Sequence, residues 1–205
     1  MSEKELKEID KESVTRVLLD LKDFLTLALS DSETAEIIES NSLMISLRFL
    51  KSNILEKRLK GITEIKIMIE RIEFAAKQAQ IKNMPPEQRY RGSMDQDMMG
   101  NRMLKAPKWL TPEAMRDWIL NERILHIVYG ENTHLEIVKR SGCILKFLAK
   151  QGALPTEAVE LIWKQQGKHE EMVRVIYITI SELVPYLDSN FINLFFVKIQ
   201  QVPAS

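Results

Sequence analysis

Apolar side chains recur along this chain at steps of three and four residues, the period of a buried helix face. Val14, Val17, Leu18, Leu21, Leu25 and Leu29 form the first such stripe, so Val14 to Leu29 is expected as a helix with one face in the core. Asp31-Ser32-Glu33 punctuates it, and Thr34 to Ile38 reads as a short second helix. Ser40-Asn41-Ser42 signals a further break before a helical Leu43 to Leu50, and Ser52-Asn53 offers a cap for the next helix. From Ile54 to about Gln80 the pattern is long. Leu55, Leu59, Ile62, Ile65, Ile69 and Ile72 lie on one stripe, with Glu56, Lys57, Lys60, Glu64, Lys66, Glu70 and Glu73 mostly opposite. Gly61 interrupts this helix at a cost of ~1 kcal/mol against alanine, which points to close packing on a neighbouring helix.

The texture changes between Asn83 and Pro107. This stretch holds three of the seven prolines, two of the seven glycines and five of the ten methionines, and keeps no period; it reads as a flexible linker or loop. Regular helical patterning then returns. Thr111 is placed to cap, with Pro112 in the first turn where its missing N–H costs nothing. The helix carries Met115, Trp118, Ile119, Ile124, Ile127 and Val128 as far as Gly130. Thr133-His134-Leu135-Glu136 matches a capping box and opens a helix with Ile137, Ser141, Ile144, Leu145 and Leu148. Leu154-Pro155-Thr156-Glu157 starts another with Val159, Ile162 and Trp163. Beyond Gly167-Lys168 a longer one carries Met172, Val173, Ile176, Ile180, Leu183 and Val184. Asp188-Ser189 caps a last helix through Leu194, Phe195 and Ile199. Val175 to Ile180 is rich in β-branched residues, but its flanks keep the helical step, and no run alternates as an exposed strand would.

The chain is therefore expected to be all-α. Leu110-Thr111-Pro112-Glu113-Ala114 is echoed 44 positions later by Leu154-Pro155-Thr156-Glu157-Ala158, each followed by a tryptophan-bearing helix, a break and a second helix. Two-helix units at ~40–47 residues are the signature of armadillo and HEAT arrays, in which antiparallel helix pairs stack into a solenoid. An irregular helical bundle is the alternative. The expected organisation is an N-terminal helical segment over 1–82, a linker over 83–107 and C-terminal repeats over 108–205, with the two helical parts forming one continuous solenoid.

Composition narrows what such an array can do. Of 205 residues, 45% are hydrophobic and 28% charged, with 29 basic against 29 acidic side chains; that balance argues against strong non-specific attraction to nucleic acid or anionic membrane. The charged start, MSEKELKEIDKES, does not resemble a signal peptide. The most apolar run, Phe191 to Val197, is far short of the ~20 residues a membrane span needs and reads as a core helix. A cytoplasmic protein is expected, with the nucleus also open to it. One cysteine permits no internal disulfide.

Candidate chemistry is sparse. Cys143 lies mid-helix between core positions, where a small packed residue is a better account than a nucleophile. His126, His134 and His169 have no ligand partners at metal-binding spacing, and no phosphate loop or nucleophile elbow occurs, so no catalytic, cofactor or metal site is expected. Trp118 and Trp163 fall within apolar stripes; Trp109 sits at the linker edge. Two basic clusters remain, Lys57-Arg58-Lys60 and Lys139-Arg140 with Lys146. Glutamates interleave with both and no stacking aromatics accompany them, which weakens a nucleic-acid role. The candidate protein-binding surface is Lys57, Arg58, Lys139, Arg140, Lys168 and His169.

An ordered series of motifs adds a resemblance. It comprises Leu55-Glu56-Lys57-Arg58-Leu59-Lys60-Gly61, Trp109-Leu110-Thr111, Trp118-Ile119, His134, Val138-Lys139-Arg140-Ser141 and Ile144-Leu145-Lys146-Phe147-Leu148. Leu161-Ile162-Trp163 and Gly167-Lys168-His169-Glu170 complete it. Together these resemble the armadillo-like region of the large fat-facets-type ubiquitin-specific proteases, over roughly Leu50 to Ile199 apart from the linker. The resemblance implies a helical-repeat arm, remote from the catalytic domain, that recruits substrates or partners. That family cleaves ubiquitin conjugates with a papain-like Cys–His pair, but neither its cysteine box nor its histidine box occurs here, so no catalytic residue carries over. The expected function is a non-catalytic scaffold with protein partners; the alternative is a free-standing armadillo-type adaptor unrelated to ubiquitin.

Overall fold

A computed structural model describes residues 11–83, 109–167 and 170–201 of the chain. Among these residues there are nine α-helices and no strand: α1 (Lys11–Thr26), α2 (Asp31–Leu50), α3 (Leu55–Asn83), α4 (Pro112–Asn121), α5 (Ile124–Val128), α6 (Leu135–Lys150), α7 (Glu157–Trp163), α8 (Glu170–Leu183) and α9 (Ser189–Gln200). The segment expected as a linker lies outside the described residues except for Asn83, which ends α3.

The most extensive packing is of α2 on α3, followed by a stack of α3, α6 and α8 with α6 in the middle. Their direction can be read from their contacts. Near one end Arg58 of α3 reaches Asn132, just before α6, and further along Glu73 of α3 meets Lys150 of α6 at 2.7 Å. Between α6 and α8 the pairs are Lys139 with Glu171 at 2.9 Å and Lys146 with Glu182 at 2.6 Å. Sequence order is kept in both cases, so the three helices run parallel. On the other side, α2 lies on α3, α4 touches α3, α5 packs on α7 and α7 on α9. Glu39 of α2 accepts hydrogen bonds from the backbone N–H groups of Trp109 and Leu110 at 3.0 and 2.7 Å, and Lys51 pairs with Glu122 at 3.4 Å, so α2 and α4 also align. Antiparallel helix pairs repeated in parallel are the architecture of an armadillo-like array. One apolar core runs through it from Leu43 to Phe195.

Local chemistry explains where elements begin and end. Thr111 caps α4 by accepting from Ala114 N at 3.2 Å with Pro112 in the first turn, and Asp188 caps α9 by accepting from Phe191 N at 2.9 Å. Gly152 adopts φ +61 just past α6, a backbone region open to glycine without steric cost. Four expectations are revised. The break expected at 31–33 falls earlier, at 27–30, because Ser30 and Glu33 form a capping box that launches α2, and the break expected at 40–42 does not exist. Asn41, Ser42 and Ser46 then donate to carbonyls four residues back and so stay helical. The single helix expected from Pro112 to Gly130 is instead two, divided at Arg123, whose φ of 51 is left-handed. In an unbroken helix Met115 and Ile119 would face away from Ile124 and Val128; the turn brings all four into the core. At α6 the capping box expected for Thr133 is absent. His134 is the cap, with Nδ1 accepting from Glu136 N at 3.2 Å, while Thr133 Oγ1 bonds the carbonyls of Val128 and Gly130.

The fourth revision concerns the two end helices. In α1, Leu18, Leu21 and Leu25 are only half-buried and Phe24 is 68% exposed, while Leu27, just past its end, is 88% exposed; the side chain of Val14 lies outside the described residues. The run expected to be a core helix, Phe191 to Val197, lies in α9, where only Phe195 is buried.

Candidate protein-interaction surface

The middle helix α6 buries Ile137, Val138, Ser141, Ile144, Leu145, Phe147 and Leu148. Its outer face carries Lys139, Cys143, Lys146 and Lys150, spaced four, three and four residues apart on a single stripe. Acidic side chains flank this stripe from both neighbouring helices. Glu171 and Glu182 of α8 take Lys139 and Lys146, and Glu73 of α3 takes Lys150, whose ammonium also lies 5.2 Å from the centroid of the Tyr186 ring. Within α6, Glu136 pairs with Lys139 at 3.1 Å and with Arg140 at 2.7 Å. Arg140 first, then Lys139, hold the Glu136 carboxyl below the usual carboxylate range; Glu171 and Glu136 raise Lys139. Solvent screens these exposed pairs, so each contributes little to stability. The pairs leave the lysine row neutralised by the protein's own acids, which gives a phosphate backbone little unpaired charge to bind.

The candidate residues fall in three places. Lys139 and Arg140 stand on the α6 face just described. Lys57 and Arg58 are buried, at 7% and 8% exposure, on the side of α3 expected to be solvated. The Lys57 ammonium sits 5.7 Å from the centroid of the Phe49 ring, and Arg58 donates from Nη1 to the carbonyl of Asn132 and from Nη2 to that of Ile127 at 3.4 Å. Burial lowers the pKa of Arg58. Lys168 and His169 lie outside the described residues. Sequence reading missed the acidic members Glu73, Glu171 and Glu182; their only signal was that each shares a helix face with exposed polar positions.

The other chemistry-bearing residues have structural surroundings. Trp109, Trp118 and Trp163 are half-buried against the core, and Trp163 meets Tyr177 edge-on with ring centroids 6.3 Å apart. Tyr129 is fully buried, with its hydroxyl 2.7 Å from Ser141 Oγ. His126 Nε2 lies 3.0 Å from Arg123 and 3.7 Å from Glu157. Among the described residues, no group of three His, Cys, Asp or Glu side chains could hold a metal ion, and no helix is long and apolar enough to cross a membrane.

Cys143 is half-buried, its Sγ 3.4 Å from the Arg140 carbonyl. Burial pushes its thiol up to about 11, with a smaller opposing effect from Lys66. A thiol with that pKa is almost wholly protonated at neutral pH, and only the thiolate attacks. Alkylation of Cys143 by iodoacetamide at pH 7.5 is expected to run about a hundredfold slower than that of an unstructured cysteine peptide. The rate should climb as pH approaches 11. Labelling at the peptide's rate would show that the thiolate is stabilised after all.

Comparison with known proteins supplies the remaining observation. The family model described as the UBP24/USP9X/USP9Y ARM repeat matches residues 36–203. Ubiquitin carboxyl-terminal hydrolase 9X of Mus musculus is 24% identical over 173 residues, which are 83% of this chain and 6% of that protein. Ubiquitin carboxyl-terminal hydrolase 34 of Homo sapiens is 34% identical over 77 residues, covering 37% of this chain and 2% of the relative. The probable ubiquitin carboxyl-terminal hydrolase FAF of Drosophila melanogaster is 31% identical over 77 residues, 37% of this chain and 3% of its own. No solved structure matches.

Proposed function

Since this chain belongs to the UBP24/USP9X/USP9Y ARM-repeat family, we propose that it is a non-catalytic scaffold that binds proteins and recruits them to ubiquitin chemistry. The observation that carries this reading is the parallel stack of α3, α6 and α8, whose outer faces are joined by ion pairs from helix to helix. The curated relatives are named as ubiquitin hydrolases, and this chain corresponds to about 6% of the length of the first of them. On this reading, the hydrolysis those names describe lies outside the stretch that this chain matches. For this chain the part assigned is recruitment, in the cytoplasm or nucleus, with no cofactor, metal, nucleic acid or membrane involved. Segments 1–82 and 108–205 act as one array, in keeping with the packing of α3 on α6.

Within the candidate surface, Lys139 and Arg140 meet the partner on the α6 face; Lys168 and His169, proposed as further contacts, lie outside the described residues. Lys57 and Arg58 serve that face from beneath, by holding α3 against the turn before α6. Because the lysine row is already paired, a partner exchanges ion pairs with it and presents both signs of charge. A free-standing adaptor unrelated to ubiquitin draws on nothing beyond the fold itself.

Affinity capture from cell extract tests this surface. The double substitution Lys139→Gln with Lys146→Gln is expected to cut recovery of captured proteins at least threefold. The fold should lose less than about 1 kcal/mol, the usual worth of exposed pairs. Unchanged capture by a folded double variant would remove the α6 face from the account.

A further inference from the structure

We draw no further inference here: the strongest candidate, the exposed apolar stripe of Ile192, Phe196 and Ile199 on the last helix α9, is an unpartnered face, and nothing in the structure shows what covers it.

Discussion

Alanine at Gly61 is expected to cost about 2 kcal/mol of unfolding free energy, although alanine is the better helix former. A Cβ at position 61 would lie 2.5 Å from the backbone N of Leu50 and 2.6 Å from the carbonyl O of Ser46. Both atoms belong to the last turns of α2, which are fixed by helical bonds such as Lys51 N to Leu47 O at 2.9 Å. No rotamer change relieves a clash with backbone, so α2 and α3 must separate and neighbours such as Leu50 and Ile62 lose contact. Overpacking of this kind costs ~1–3 kcal/mol and at times more; the gain in helix propensity returns only ~1 kcal/mol. Gly142 supplies the control, because a Cβ there meets nothing within 4 Å. Gly142→Ala in α6 should therefore stabilise, by roughly 0.5–1 kcal/mol. Urea denaturation of the two variants beside the wild type checks both signs. Equal effects at the two positions would mean that α2 and α3 do not approach as closely as described.

The second large effect is expected at Arg58. Its guanidinium joins α3 to the α5–α6 connection by donating to two carbonyls, those of Ile127 and Asn132. Hydrogen bonds to a charged group contribute ~1.5–3 kcal/mol, and Arg58 makes two of them. Arg58→Ala should destabilise by about 3 kcal/mol, part of it lost packing of the buried stem. Lysine should not rescue fully: a single ammonium lacks the planar fork that reaches both carbonyls, and a loss of about 2 kcal/mol is expected for Arg58→Lys. Urea unfolding with an unchanged m value is the measurement. A loss under 1 kcal/mol for the alanine variant would show that solvent already satisfies those carbonyls.

Much of this fold was legible from apolar spacing alone. The stripes of α3, α6 and α8, the caps at Thr111 and Asp188, and the two units 44 residues apart all follow from rules that act over one or two turns. What resisted reading depended on partners elsewhere. Ser40-Asn41-Ser42 looked like a break because their side chains compete with the backbone, yet here they bond back into their own helix. The turn at Arg123 follows from the need to bury Met115 and Val128 together, which no capping signal announces. Lys57 and Arg58 resembled a solvated basic patch. Only the carbonyls of Ile127 and Asn132, 69 and 74 residues along the chain, make burial of Arg58 tolerable. The candidate surface was half legible in the same sense: Lys139 and Arg140 lie on an exposed face, but the glutamates of α3 and α8 that neutralise the lysine row came into view only with the stacking. The motif series that suggested a fat-facets-type relative drew on Arg58, whose role was invisible in sequence, and on Gly61, whose close packing on a neighbouring helix was expected.

Protein binding without any ubiquitin hydrolysis by the chain itself is tested most directly in one preparation. The purified chain is incubated with a ubiquitin–fluorophore substrate while the same material serves as bait for affinity capture. Captured proteins are expected, together with a hydrolysis rate no higher than buffer alone and identical in Cys143→Ala. Turnover that disappears in Cys143→Ala, without captured partners, would contradict the scaffold reading and make Cys143 a nucleophile.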